Sequence, residues 1–113
     1  MPRDGVAAVK AVIESKGFAI EVSDEEILQA IKIIAENEGV FAEPAASASF
    51  AGFKKALKEN KIKENETVVC LITGNGLKDV DSAMKVAGTP VLIEPNIEEV
   101  KKVLDRKNNN YKA

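Results

Sequence analysis

The stretch that decides the fold is Thr67-Val68-Val69-Cys70-Leu71-Ile72-Thr73, followed at once by Gly74-Asn75-Gly76. All residues from Val68 to Ile72 are apolar, and none alternates with a polar residue. A strand that is apolar on both faces is typical of the middle of a parallel sheet, where helices cover both sides. Glycine and asparagine then favour a turn. The stretch therefore predicts a central parallel strand that ends in a tight loop.

Helices are predicted on both sides of this strand. Ser23 and Glu26 have the spacing of a capping box, and Gly39 follows the last apolar residues, so a helix is expected between them. Pro44 suits the first turn of the next helix. Further helices are predicted at Asp4–Lys16, Asp81–Val86 and Asn96–Arg106.

Two short strands, Phe18–Val22 and Val91–Ile93, complete the predicted pattern. Helices and strands in alternation predict an α/β fold with three layers, in which a small, mostly parallel sheet is flanked by helices. We expect a single α/β domain over residues 1–106 and a frayed tail over 107–113. Because three short strands are few for a complete doubly wound sheet, the chain is expected to form part of a larger α/β unit.

The composition argues against several classes of function. The chain has 113 residues, of which 16 are basic and 18 acidic, so a nucleic-acid binder acting through a positive field is not expected. No apolar run approaches the roughly 18 residues of a membrane helix, and no signal sequence is visible, so we expect a cytoplasmic protein with no membrane partner. The chain has no histidine, which removes Ser-His catalysis and most transition-metal sites. Any reactive group is therefore expected to come from outside, and no metal site is predicted.

The first candidate site is the loop after the predicted central strand, where ligands bind in open α/β sheets. The Thr73 hydroxyl can donate or accept a hydrogen bond. Gly74 and Gly76 allow close approach of a ligand to the backbone, and Asn75 lies between them. As a pattern alone, Gly-Asn-Gly marks a plain turn more often than a site.

Glu43 is the second candidate, because it lies among apolar residues and a buried carboxylate needs a partner. The alternative is that Glu43 caps the helix that begins at Pro44. That helix opens with the small residues Ala45–Ser49. They indicate either a close contact between helices or a backbone held near a ligand at the positive helix end. Cys70, in mid-strand, is expected to be a buried and inert thiol.

Three segments also carry a family resemblance: Val22-Ser23-Asp24-Glu25-Glu26-Ile27, Glu38-Gly39-Val40-Phe41-Ala42-Glu43-Pro44-Ala45-Ala46-Ser47-Ala48-Ser49, and Leu71-Ile72-Thr73-Gly74-Asn75-Gly76-Leu77-Lys78-Asp79. In this order and spacing they resemble the C-terminal third of the threonine synthases. The resemblance runs from about Val6 to Asp81, and Ser82–Ala113 is similar only as a variable tail. The family is a group of tryptophan-synthase-β-like, fold type II, pyridoxal-phosphate enzymes.

The resemblance implies a reaction, a cofactor and a set of binding residues. Members of the family use pyridoxal phosphate to convert O-phospho-L-homoserine and water into L-threonine and phosphate. The resemblance implies that Thr73 hydrogen-bonds the pyridine nitrogen of the cofactor and that Glu43 lies near its ring, with Gly74 and Asn75 in the same site. Many relatives have histidine where Asn75 stands, which is a mild departure because asparagine also donates and accepts.

A larger departure concerns the catalytic lysine. The family's Schiff-base lysine lies in an S-x-K-D-R-like motif, and neither that motif nor the glycine-rich phosphate loop occurs in this sequence. Lys78 stands in a different context and is not that lysine. The resemblance therefore implies a C-terminal segment with no catalytic residue of its own, inactive and without bound cofactor when alone, which associates with the missing N-terminal part or forms a homodimer. The alternative is a stand-alone, non-catalytic α/β module for binding or oligomerisation.

Overall fold

The computed structural model describes residues 4–88 and 90–110 of the chain. These residues form five α-helices, and a short 3-10 turn at Gly76–Lys78 precedes the fourth. The helices are α1 (Gly5–Glu14), α2 (Asp24–Glu38), α3 (Pro44–Lys58), α4 (Val80–Ala87) and α5 (Ile97–Asn110). The predicted boundary between a domain at 1–106 and a tail at 107–113 stays a prediction. The helix α5 continues four residues past Arg106, and residues 111–113 of the predicted tail lie outside the described residues.

The predicted three-layer α/β fold with a parallel sheet is wrong. No strand occurs in the described residues, where β-pairing is limited to an isolated antiparallel bridge between Ala42 and Asn75. A strand requires a second segment that completes its ladder of hydrogen bonds, and the predicted strands meet none. Their apolar side chains are open instead, with Val69 79% and Leu71 71% exposed, and Leu92 99% exposed. The apolar pattern predicts a buried strand, but burial also needs a second segment to pair with it. The described residues provide no such segment, so the prediction of burial is wrong here.

Local signals at both ends fix α2 as predicted. The Ser23 backbone N–H donates to the Glu26 carboxylate at 2.8 Å, and the Glu26 N–H donates to the Ser23 hydroxyl at 3.2 Å. Gly39 ends the helix with φ at 65°, in the left-handed region where a Cβ would be strained. The capping box and the glycine stop are therefore confirmed.

The core lies between α2 and α3, which pack against each other. The buried residues of α2 are Ala30, Ile31 and Ile34, and those of α3 are all small: Ala46, Ser47, Ala51, Gly52 and Ala56. Small side chains allow two helices to approach closely. Of the two explanations for the small residues at the start of α3, the contact between helices is confirmed at Ala46, which lies in one cluster with Ile34 of α2, whereas Ala45 and Ser49 are exposed.

The described chain extends well beyond this core. The α1 helix contributes no buried residue. The radius of gyration is 18.6 Å, against about 13 Å for a compact domain of this length. Much of the apolar surface is therefore left without cover by the chain itself.

Of the helices at 4–88 and 90–110, none combines the length and the apolar content that crossing a membrane requires.

Candidate functional site

The bridge between Ala42 and Asn75 joins the two candidate segments. The first segment is residues 40–43, and the second is residues 73–76. The Glu43 backbone N–H donates to the Gly74 carbonyl at 3.0 Å, and the Gly76 N–H donates to the Phe41 carbonyl at 2.9 Å. The first segment is held in place because it links α2 to α3 in the core. These two hydrogen bonds fix the register of the second segment against it, so Glu43, Gly74 and Asn75 lie together. That they bind a cofactor stays a prediction.

The Glu43 carboxylate lies directly over Gly74. A Cβ at position 74 would overlap the Glu43 carboxyl group, whose atoms are the three nearest to it. The Glu43 side chain occupies the N-cap position of α3 but makes no capping hydrogen bond. The capping alternative is therefore wrong for the side chain, although the Glu43 carbonyl accepts the first helical hydrogen bond from Ser47 at 2.9 Å.

Gly76 provides a second close contact across the bridge. A Cβ at this position would overlap the ring of Phe41. Neither Gly74 nor Gly76 has a positive φ, because the glycines with positive φ in the described residues are Gly39 and Gly88. The two glycines of the loop are therefore required for space and not for a left-handed turn.

Asn75 organises the loop through its side chain. Its Oδ1 accepts a hydrogen bond from the Leu77 N–H at 2.9 Å and so caps the 3-10 turn Gly76–Lys78. The turn directs Lys78 back toward the bridge, where its Nζ lies 3.2 Å from Glu43 Oε2. From sequence, Lys78 is excluded as the Schiff-base lysine and is given no other role. The signal that could have placed it near the site is its position three residues after Asn75, which caps the 3-10 turn.

Thr73 lies at the edge of the bridge, one residue before Gly74. It is exposed, and its hydroxyl makes no hydrogen bond to any described residue. The segment that leads to it is anchored by Ser49, whose hydroxyl oxygen lies 2.8 Å from the Ala46 carbonyl and 3.3 Å from the Leu71 carbonyl. Thr73 therefore offers a free donor and acceptor at the start of the loop that carries Gly74 and Asn75.

Two other polar groups near the site have shifted pKa values. The Ser82 backbone N–H, at 3.0 Å, and the Ser82 hydroxyl, at 2.9 Å, donate to the Asp79 carboxylate and lower its pKa, with Asp79 capping α4. Partial burial raises the pKa of the Cys70 thiol. Cys70 is half-buried, so the expectation of a fully buried thiol is wrong. The raised pKa keeps the thiol protonated at neutral pH.

A comparison with protein families gives the class of the chain. Residues 1–74 match the family described as pyridoxal-phosphate dependent enzymes. The chain belongs to this family.

Individual relatives narrow the similarity to one enzyme. The chain is 43% identical to the threonine synthase of Methanocaldococcus jannaschii over 91% of its own length and 25% of the relative. It is 48% identical to the threonine synthase of Halalkalibacterium halodurans over 87% of its length and 28% of the relative, and 50% identical to that of Mycobacterium leprae over 74% and 23%. The chain thus spans about a quarter of the length of the curated relatives it matches.

Family membership implies pyridoxal phosphate as the cofactor of the complete enzyme, and the described residues fit one end of that molecule. The free Thr73 hydroxyl suits a ring nitrogen, which needs one hydrogen-bond partner. The Glu43 carboxylate covers Gly74, so a ring bound on this side of the loop would contact that carboxylate and not the bare backbone. Of the described loop residues, Thr73 is therefore the one whose free hydroxyl fits a ring nitrogen.

Proposed function

We propose that this chain supplies the pyridine-ring side of the cofactor site in a pyridoxal-phosphate-dependent threonine synthase. The observation that carries the proposal is the bridge between Ala42 and Asn75, which places the Glu43 carboxylate on the loop that begins at Thr73. Similarity to threonine synthases over most of the chain supports the same assignment. The proposed reaction is the conversion of O-phospho-L-homoserine and water into L-threonine and phosphate, a lyase step in threonine biosynthesis.

Each residue of the site has a proposed role. Bound pyridoxal phosphate supplies the electron sink for the reaction. Thr73 holds the pyridine nitrogen through its hydroxyl, a neutral partner that does not protonate the nitrogen fully and so favours replacement over transamination. Glu43 borders the ring, and Gly74 leaves the space that its carboxylate needs. Asn75 acts indirectly: its side-chain oxygen caps the 3-10 turn and so holds the loop in place.

The isolated chain is proposed to be inactive. Its 113 residues contain neither the family's Schiff-base lysine motif nor its phosphate loop, so covalent attachment of the cofactor by the family mechanism has no nucleophile here. Another polypeptide segment has to provide the lysine and the phosphate loop. We propose that the two parts associate in the cytoplasm. The exposed side chains of Val69 and Leu71 offer an apolar surface for that association.

A second candidate function is a non-catalytic module that associates through the same surface. The observation that favours it is the exposure of the apolar side chains of Val69 and Leu71 on one segment, which the described residues leave uncovered. Such a module would form a homodimer or bind another chain and would not need the Thr73 hydroxyl.

The test is a fusion of the first three quarters of the Methanocaldococcus jannaschii relative to this chain. We expect the fused protein to bind pyridoxal phosphate, seen as cofactor absorbance, and to release phosphate from O-phospho-L-homoserine, whereas the isolated chain does neither. Thr73→Val should weaken both properties, and Thr73→Ser is the matched control that keeps the hydroxyl. A fused protein that folds but binds no cofactor would contradict the proposal and favour the non-catalytic module.

A further inference from the structure

Lys78 and Glu43 form an ion pair at the edge of the proposed cofactor site. The Lys78 ammonium lies 3.2 Å from Glu43 Oε2, and the side chains are 66% and 15% exposed, respectively. The pair is therefore asymmetric, since a largely covered carboxylate is matched by a lysine whose stem and head reach into solvent. Among the described residues, no other cation lies within 4.0 Å of Glu43.

The geometry of the loop determines where the ammonium lies. The Lys78 N–H donates to the Asn75 carbonyl at 3.1 Å and the Asp79 N–H to the Gly76 carbonyl at 3.1 Å, which closes the 3-10 turn. Asn75 is itself the residue paired with Ala42 in the bridge. The lysine therefore starts from a backbone that is hydrogen-bonded to the same segment that carries Glu43.

The Lys78 ammonium is the charged partner of this largely covered carboxylate. A carboxylate removed from water is costly unless a charged or hydrogen-bonded partner compensates it. Glu43 receives no capping hydrogen bond from α3, and Gly74 bounds it on one side. Without Lys78 the side chain has no described partner to choose one orientation over another.

We propose that Lys78 is a positioning residue of the cofactor site: its ammonium holds the Glu43 carboxylate over Gly74, in the loop that begins at Thr73, and balances its charge. The cofactor ring then faces the Glu43–Lys78 ion pair, which carries no net charge. This inference rests on the proposed function, because it gives Lys78 a role through Glu43 at the ring.

The first test uses the full 113-residue chain without cofactor. Nuclear magnetic resonance couplings of the Glu43 side chain report whether it holds one rotamer. We expect one rotamer in the unsubstituted chain and in Lys78→Arg, and averaged rotamers in Lys78→Met, which keeps the length of the stem but not the charge. Lys102→Met is the matched control, because it removes an exposed lysine paired with Glu99 at 2.9 Å, far along the chain on α5. Unchanged Glu43 couplings in Lys78→Met would overturn the inference.

The second test measures pyridoxal phosphate binding and cofactor absorbance in the fused protein. We expect Lys78→Met to weaken cofactor affinity about fivefold, the size expected from a partly covered ion pair, and to shift the absorbance maximum. Lys78→Arg should restore both properties, and Lys102→Met should change neither. If the unsubstituted fusion binds no cofactor, the proposed function fails. If it binds cofactor and Lys78→Met binds it equally with the same spectrum, the inference about Lys78 fails alone.

Discussion

Replacing Gly74 with alanine tests how closely the loop and Glu43 fit together. The added Cβ would overlap the Glu43 carboxyl group, which supplies its three nearest atoms. The backbone itself accepts alanine, since Gly74 is not among the described glycines with positive φ. The carboxylate, at the end of a flexible side chain, therefore has to move away and give up its 3.2 Å ion pair with Lys78.

The expected cost follows from those two changes. A side chain forced off its preferred rotamer costs about 0.5–1.5 kcal/mol, and a partly exposed ion pair contributes about 0.2–1 kcal/mol. Gly74→Ala should therefore lower the free energy of unfolding by about 1–2 kcal/mol. Urea denaturation followed by helical circular dichroism at 222 nm measures it, because the signal reports α2 and α3 directly.

A double-mutant cycle separates this explanation from a general effect of alanine. In a Glu43→Ala background the obstructing carboxylate is gone, so the cost of Gly74→Ala should fall below about 0.5 kcal/mol. An equal cost in both backgrounds would refute the reasoning, because the clash would then not involve Glu43.

Three further predictions follow from single features of the chain. Ser47, at the contact of α2 and α3, is fully buried and its hydroxyl has no hydrogen-bond partner in the described residues, so Ser47→Ala should leave stability unchanged or raise it by up to about 1 kcal/mol in the same urea assay. The pKa of Asp79 is lowered in the folded chain by donors from Ser82, so its stabilisation of α4 is present above the pKa of the unfolded state and is lost as pH falls below about 4. Circular dichroism between pH 6 and pH 3 should show that loss of helix. In Asp79→Ala this part of the pH dependence should be absent. The isolated chain should self-associate through its exposed apolar segment, so light scattering at about 100 μM that gives a monomeric mass would contradict the prediction.

The helices were predictable because their signals are local. The capping box of Ser23 and Glu26 lies within a single turn, and Gly39 stops the helix by its own conformation. No distant residue is needed for either effect, so the sequence alone indicates both ends of α2.

The sheet was not predictable because a strand depends on a partner segment, and local sequence does not specify where that partner lies. The apolar run from Val68 to Ile72 carries the composition of a buried strand, but composition does not specify which segment completes its hydrogen bonds. Radius of gyration and the exposure of Leu71 agree that the described residues provide no such cover.

The sequence indicates the two segments of the candidate site but not the contact between them. The apolar neighbourhood of Glu43 and the turn chemistry of Gly74 indicate both residues from sequence. Their direct contact required the bridge at Ala42 and Asn75, which no local pattern indicates. Lys78 was missed for the same reason, since its partner lies across that bridge.

The central claim is that Thr73 hydrogen-bonds the pyridine nitrogen of pyridoxal phosphate. The most direct measurement is the nitrogen-15 resonance of labelled cofactor bound to the fused protein, compared among the unsubstituted protein, Thr73→Ser and Thr73→Val. The account predicts one resonance position for the two proteins that keep the hydroxyl, and a displaced resonance with about tenfold to hundredfold weaker cofactor binding for Thr73→Val. The same resonance and the same affinity in all three proteins would contradict the claim.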